Sequence, residues 1–332
     1  MRPTIRAVGL AALVVLAVGM AFTAGTRALN AVAAPALAAL AIGAAQLWTA
    51  EEPTVTRRDP AAGFPGETRT VELTVDGGGV ARLRDSIPQG LDPATDELRA
   101  SLPATVGYEV ELGERGEWTL GPARLVVTDV LGAFVETVEP DGTATVLVYP
   151  RVVDLRGAAA FAGLFQRGAA TERQAFAAVR EYEPGDPLRD VHWKTSAKRP
   201  GDDLVVRQFD GSEDEDDRVV IAAAAAEGRA DEMASAAASV ALLALEAGAS
   251  VGITCPAGSV PAGRGADHRR RLLELLARTG PGRLDEGTHE DSAVIVDARA
   301  DGQVRVSVDG RTHALDLDSG ALESIDSEGV RA

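Results

Sequence analysis

Two early stretches of the chain carry no charge: residues 7–26 and residues 28–50, with Arg27 alone between them. Each is about 20 residues long, enough for a helix to cross the hydrocarbon core of a bilayer. Only a helix satisfies its own backbone polar groups there. Residues 1–52 are therefore expected to form a transmembrane helical hairpin, and its Gly, Ala and Pro35 would let the two backbones approach closely. A competing reading makes the first stretch a cleaved signal peptide, because Arg2 and Arg6 precede an apolar run. The second run would then remain as the anchor. Arg2, Arg6, Arg57 and Arg58 flank the pair on one side and only Arg27 lies in the turn, so the positive-inside rule places both ends, and the soluble body, in the cytoplasm.

From residue 53 to residue 150 the apolar positions recur with period two. Runs at 70–75, 80–84, 108–112, 118–120, 124–128, 134–138 and 145–149 read as short strands separated by Gly, Pro and Asp. Asp76-Gly77-Gly78-Gly79 and Asp141-Gly142 are hairpin signals. No helical period of any length interrupts them, and strands at this spacing predict a small β-sandwich.

Residues 151–332 change the pattern. Apolar strands at 218–226, 250–254 and 293–296 alternate with helices at 231–247 and 267–278. That order predicts a parallel α/β core. A terminal hairpin is expected at 304–308 and 312–317 around Asp309-Gly310.

Composition alters the picture in three ways. The net charge of −17 disfavours nucleic acid as a partner, since phosphate binding needs a clustered basic surface. Lysine occurs only at Lys194 and Lys198 and asparagine only at Asn30. An acidic, nearly lysine-free surface fits a protein of a halophilic archaeon, where salt screens its self-repulsion. A high-GC genome would also explain the missing lysine, though not the excess acid. The single cysteine, Cys255, rules out an intramolecular disulfide and a Cys-based metal site, and its apolar surroundings read as a small buried hydrophobe.

The densest segment, residues 180–209, holds Arg180, Tyr182, Gly185, Asp186, Arg189, Trp193, Lys194 and Arg207, and both lysines of the chain. Its cations suit either a strand edge paired with nearby Glu and Asp, or a docking site for an acidic partner or phosphate. Catalytic signatures are missing. Neither lysine follows a glycine, so no phosphate loop of the Gly-Lys-Ser/Thr kind exists. His192, His268, His289 and His313 are scattered, and His268, ahead of three arginines, reads as solvent-facing.

The pattern Arg180-x-Tyr182-x-x-Gly185-Asp186-x-x-Arg189-x-x-x-Trp193-Lys194-x-x-Ala197, followed by Val206-Arg207-x-Phe209, resembles the "domain of unknown function 58" (DUF58) family. Arg115-Gly116, Gly121-Pro122, Asp129-Val130-Leu131-Gly132, Tyr149-Pro150 and the two-helix N-terminus resemble the same proteins. The resemblance implies a membrane protein with a von Willebrand factor A-like α/β domain at 151–332, working beside a MoxR-type AAA+ ATPase in assembling or activating other proteins. Metal-dependent A domains carry Asp-x-Ser-x-Ser after the first strand, where hard oxygen donors hold a cation. Here that place reads Glu227-Gly228-Arg229, and Ser235 and Ser239 lack the leading Asp, so the metal site is degenerate and no metal or cofactor is expected. The leading expectation is a non-enzymatic membrane adaptor that binds the ATPase. An enzyme of cell-envelope assembly using Asp186 with His192 is the alternative.

Overall fold

The computed structural model of the chain describes residues 1–24, 30–95, 97–157, 159–161, 179–181, 205–207, 218–290, 292–308 and 310–325. The chain divides into two compact units, Met1–Val148 and Tyr149–Ala332.

The first unit runs β1 (Arg2–Pro3), α1 (Ile5–Ala24), α2 (Asn30–Thr49), β2 (Thr54–Arg57), β3 (Thr68–Arg84), β4 (Leu91–Pro93), β5 (Leu98–Leu112), β6 (Gly116–Leu120), β7 (Arg124–Thr128), β8 (Phe134–Val138) and β9 (Ala144–Val148). The helices lie within two residues of the sequence expectation at each end. Their apolar windows, Ile5–Thr23 and Ala31–Thr49, have mean hydropathy 2.3 and 1.7 and are only 11% and 22% buried. Each is long and apolar enough to cross a membrane, and neither is enclosed as a core helix would be.

Seven strands form one antiparallel sheet in the order β1-β8-β7-β3-β5-β4, with β2 on β3, and β6 pairs β9 separately. The sheets share one core, where Leu73, Val75, Leu83 and Leu125 of the large sheet meet Leu120, Val146 and Val148 of the small one. Inward and outward positions alternate along β3 on either side of Gly77–Gly79, the period-two signature of a sheet with one wet face.

Neither expected hairpin turn is one. Asp76–Gly79 lies inside β3, which runs unbroken along β5 with a single register shift between Val75 and Gly79. Gly77 (φ +134°) and Gly79 (φ +94°) absorb the extra residues as a bulge. The two halves of β3 have different second neighbours, β2 before the bulge and β7 after it. At Asp141-Gly142 the chain changes sheet, since β8 pairs β7 whereas β9 pairs β6.

The second unit contains a 3-10 turn (Ala159–Phe161), then β10 (Val179–Glu181), β11 (Val205–Arg207), β12 (Arg218–Ala225), α3 (Ala230–Glu246), β13 (Ser250–Cys255), β14 (Gly258–Gly263), α4 (Ala266–Arg278), α5 (Glu286–Glu290), β15 (Val294–Ala298), β16 (Val304–Val308), β17 (Arg311–Leu315) and β18 (Leu322–Ser324). Its main sheet is ordered β14-β13-β12-β15-β16-β17-β18. β12 is parallel to both β13 and β15, and the remaining pairs are antiparallel. The centre is built from small residues. Ala222–Ala225 of β12 and Ala234, Ala236, Ala237 and Ala238 of α3 are all buried, so helix and sheet approach closely. Leu272 and Leu276 of α4 fill the flank. Each such buried leucine contributes roughly 1.5–3 kcal/mol.

His268 departs from expectation. It is buried, with Nε2 2.6 Å from the Val251 carbonyl oxygen, because it shares the inner face of α4 with Leu272 and Leu276. Cys255 is a free, buried thiol.

Candidate functional site

Of the eight motif residues, the structure describes two. β10 and β11 form an antiparallel ladder that sets Arg180 opposite Val206 and Val179 opposite Arg207. Tyr182, Gly185, Asp186, Arg189, Trp193 and Lys194 lie outside the described residues, as does His192.

Elsewhere in that unit, the sheet itself marks a place for chemistry. The chain passes from β12 to β13 on one side and to β15 on the other, and ligands of open α/β sheets bind at the carboxyl ends of strands where the order reverses. Here that end is closed by backbone. Ala225 and Gly282 exchange two hydrogen bonds, at 3.0 and 2.9 Å, and Ala226 N donates to Ala298 O at 2.8 Å. Gly228 (φ +74°) then turns the chain into α3.

Arg229 dominates the turn. Its Nη2 donates to Gly302 O at 2.8 Å and its Nη1 lies 3.1 Å from Glu232 Oε1, while Nε is buried with no partner among the described residues. Ser239 Oγ donates to Ser235 O (2.6 Å) and accepts from Val153 N (3.0 Å), so it is engaged in holding α3. Among the described residues no group of three or more His, Cys, Asp or Glu is placed to hold a metal ion. A cavity of about 360 Å³ beside the turn is lined by Arg229, Glu232, Gln303, Leu315, Asp316 and Glu323. The Ser319 hydroxyl and the Asp318 amide donate to Asp316 and hold its carboxyl below the usual range. An arginine tied through both Nη atoms, beside a carboxyl held low at Asp316, makes this a polar niche.

Sequence reasoning missed the most unusual side-chain group of the first unit. Arg57, counted above as a flanking cation, has a side chain with 0% exposure that forms a two-pronged ion pair with Asp85, itself 6% exposed. Tyr108 Oη donates to the same carboxylate at 2.7 Å. Burial, and then the Asp85 hydrogen bond and charge, push the phenol well above the usual tyrosine range, which fixes it as a donor. Gly121 makes room, since a Cβ there would come within 2.9 Å of the guanidinium. The trio pins β2, β5 and the segment after β3 together. The only hint in sequence was that Gly121-Pro122 belongs to the resemblance noted above.

Residues 178–308 match the family model described as "Protein of unknown function DUF58". The span holds all eight motif residues. No curated relative matches the chain. Among solved structures, the chain is similar to the CARDB domain of the PF1109 protein from Pyrococcus furiosus (15% identity, 29% of this chain and 92% of that one, TM-score 0.22). It is also similar to WR4, a C. elegans MSP family member (7%, 26% and 91%, TM-score 0.21). A third is the ASH/PapD-like domain 7 of human CEP192 (11%, 29% and 83%, TM-score 0.21).

Proposed function

We propose that this protein is a two-pass membrane adaptor without catalysis of its own, holding its soluble units on the cytoplasmic side and engaging a MoxR-type AAA+ ATPase. The observation that carries the anchor is the way the first unit is built. Residues on both flanks of the apolar pair belong to one fold: β1 pairs β8 ahead of α1, and β2 pairs β3 after α2. A cleaved leader would not supply a strand to the mature sheet, and a hairpin that begins and ends on one side does. The flanking arginines orient that side inward.

The ATPase partnership is supported by the DUF58 match over residues 178–308 and by the motif within it. The parallel β13-β12-β15 core with its α3 crossover supports a von Willebrand factor A-like reading of the second unit. The antiparallel run β15 to β18 departs from a fully alternating α/β sheet. With Arg229 where hard oxygen donors would be needed, partner binding in this reading works through protein surface and not through a bound cation. The acidic surface supports work in concentrated salt.

Affinity purification of the full chain from gently solubilised membranes at high salt tests the adaptor. Co-enrichment of an AAA+ ATPase, lost with Arg189→Ala and Trp193→Ala, is the expected result. Recovery of the bait without any ATPase overturns it.

A further inference from the structure

The turn between β7 and β8, residues 129–133, exposes two apolar side chains, Val130 at 72% and Leu131 at 45%. Single exposed apolar residues are common and by themselves mean nothing. The position of this turn relative to the helices is what sets it apart. A Cβ placed on Gly43 of α2 would lie 2.8 Å from Asp129 Oδ2 and 3.4 Å from the Phe134 ring, so the turn packs against the side of α2, not beyond its end. Gly43 precedes the end of α2 at Thr49 by six residues, roughly 9 Å along the helix axis. It also lies inside the apolar window Ala31–Thr49.

The other side of the turn is fastened to the entry of α1. Thr4 N donates to Ala133 O (2.8 Å), Thr4 Oγ1 lies within bonding distance of the Gly132 and Ala133 carbonyls (2.7 and 2.9 Å), and Arg6 Nη1 reaches Leu131 O at 3.4 Å. Internally, Asp129 accepts from Phe134 N (2.6 Å) and Leu131 N (3.0 Å), and Gly132 N donates to Asp129 O (2.9 Å). The N–H and C=O of Val130 and the N–H of Ala133 have no partner among the described residues, but the amides of 131, 132 and 134 and the carbonyls of 129, 131, 132 and 133 are engaged. A loop surrounded by water does not need that. A loop leaving water does, because an unpaired backbone group costs several kcal/mol in hydrocarbon. Gly132 (φ +67°) supplies the left-handed bend, and a Cβ there would strike Arg6.

We infer that the 129–133 turn is a lipid-contacting element: Val130 and Leu131 enter the interfacial layer of the bilayer beside α1 and α2 and seat the two-sheet domain on the membrane surface. Trp48, 88% exposed near the end of α2, marks the same layer, where indole rings settle. The inference rests on the anchor reading proposed above. It adds that the anchored sheet domain is held against lipid and does not swing free of it.

The test uses the full chain with Cys255→Ala, reconstituted into phosphatidylcholine vesicles whose acyl chains carry bromine at a shallow or a deep carbon. An environment-sensitive fluorophore is attached at Val130→Cys, at Val15→Cys in α1, or at Glu111→Cys on the far part of β5. The expected result is that the Val130 label loses roughly half its emission to shallow bromines and less to deep ones. The Val15 label responds to deep bromines, and the Glu111 label to neither. If the Val130 label behaves like Glu111 while Val15 is quenched, the anchor stands and the seating is overturned. If Val15 is also unquenched, the anchor reading falls and takes the seating with it. As a second check, Leu131→Cys should be shielded from a membrane-impermeant thiol reagent in vesicles and exposed to it in dilute detergent. Equal labelling in both overturns the proposal.

Discussion

In the Met1–Val148 unit, a guanidinium without exposed surface lies against a carboxylate and a tyrosine. In the Tyr149–Ala332 unit the same depth is filled by alanines, Ala222–Ala225 against Ala234, Ala236, Ala237 and Ala238. The first interior fixes its strands by polar geometry, because Asp85 must stand where it meets both Nη atoms of Arg57, whose buried Nε has no partner among the described residues. The second fixes its helix by proximity, because only small side chains let α3 approach β12. The first arrangement fails when a partner is removed, and the second when volume changes. Buried ion pairs are poor sources of net stability but severe liabilities once broken. Close-packed small residues are the reverse, cheap to build and intolerant of addition.

The sharpest way to break this contrast is Asp85→Ala. It leaves Arg57 charged, buried and alone, and should cost about 3–5 kcal/mol in urea unfolding of the detergent-solubilised chain followed by tryptophan emission. Replacing both members, Arg57→Met with Asp85→Leu, should recover most of that loss. A single substitution costing no more than the double one would show that the pair is not a polar lock. Next comes Leu276→Ala in α4, fully buried in the second unit, expected to cost about 2–5 kcal/mol through the cavity it leaves.

Tyr108→Phe removes a hydrogen bond to a charged acceptor and should cost about 1.5–3 kcal/mol at neutral pH. It has a pH signature as well. Burial and the Asp85 carboxylate raise the folded phenol's pKa above the ordinary tyrosine value of 10.0, so the unfolded chain releases that proton first as pH climbs. The contribution is whole below about pH 10 and declines above it. Alkaline unfolding should therefore be less steep in the Phe variant, and identical profiles would contradict the assignment. Ala237→Leu tests the alanine interface and should cost about 1–3 kcal/mol, with thermal unfolding as the readout. The smallest effect belongs to the surface: Arg156→Ala loses the exposed pair with Glu246 at 2.9 Å and should leave the thermal unfolding midpoint nearly unchanged, the more so in high salt.

The sequence was most readable where structure is local. The paired apolar helices, the strands at 124–128 and 134–138, and the alternation of β12, α3, β13, α4 and β15 follow from periodicity within one element. It misled where the same residues serve two geometries. Asp76-Gly77-Gly78-Gly79 advertises positive φ, which both a hairpin and a bulge require, and only the distant partners β2, β5 and β7 decide between them. His268 was legible after all, since it stands one and two turns ahead of Leu272 and Leu276, but its three arginine neighbours drew the eye to charge. The Arg57–Asp85–Tyr108 trio joins residues 28 and 23 positions apart, and no local pattern reports such a meeting. For the 180–209 motif, the ladder sets Arg180 opposite Val206 and Arg207 opposite Val179, so the two arginines stand one register step apart on adjoining strands, a placement that spacing alone left open.

The pairing of β1 with β8 has a consequence in time. Arg2 must find Val135, so the first strand of this sheet to leave the ribosome waits for one made about 130 residues later. At roughly 5–20 residues per second, that wait is on the order of seven to twenty-seven seconds. For most of it α1 and α2 are already made while the residues ahead of them have no partner. Closure of the sheet is then the event that fastens the beginning of the chain to its middle. Under the anchor proposed above, a chain that inserts the hairpin the wrong way round would have β1 and β8 on the same far side, but a chain that loses one crossing could not form the pair at all.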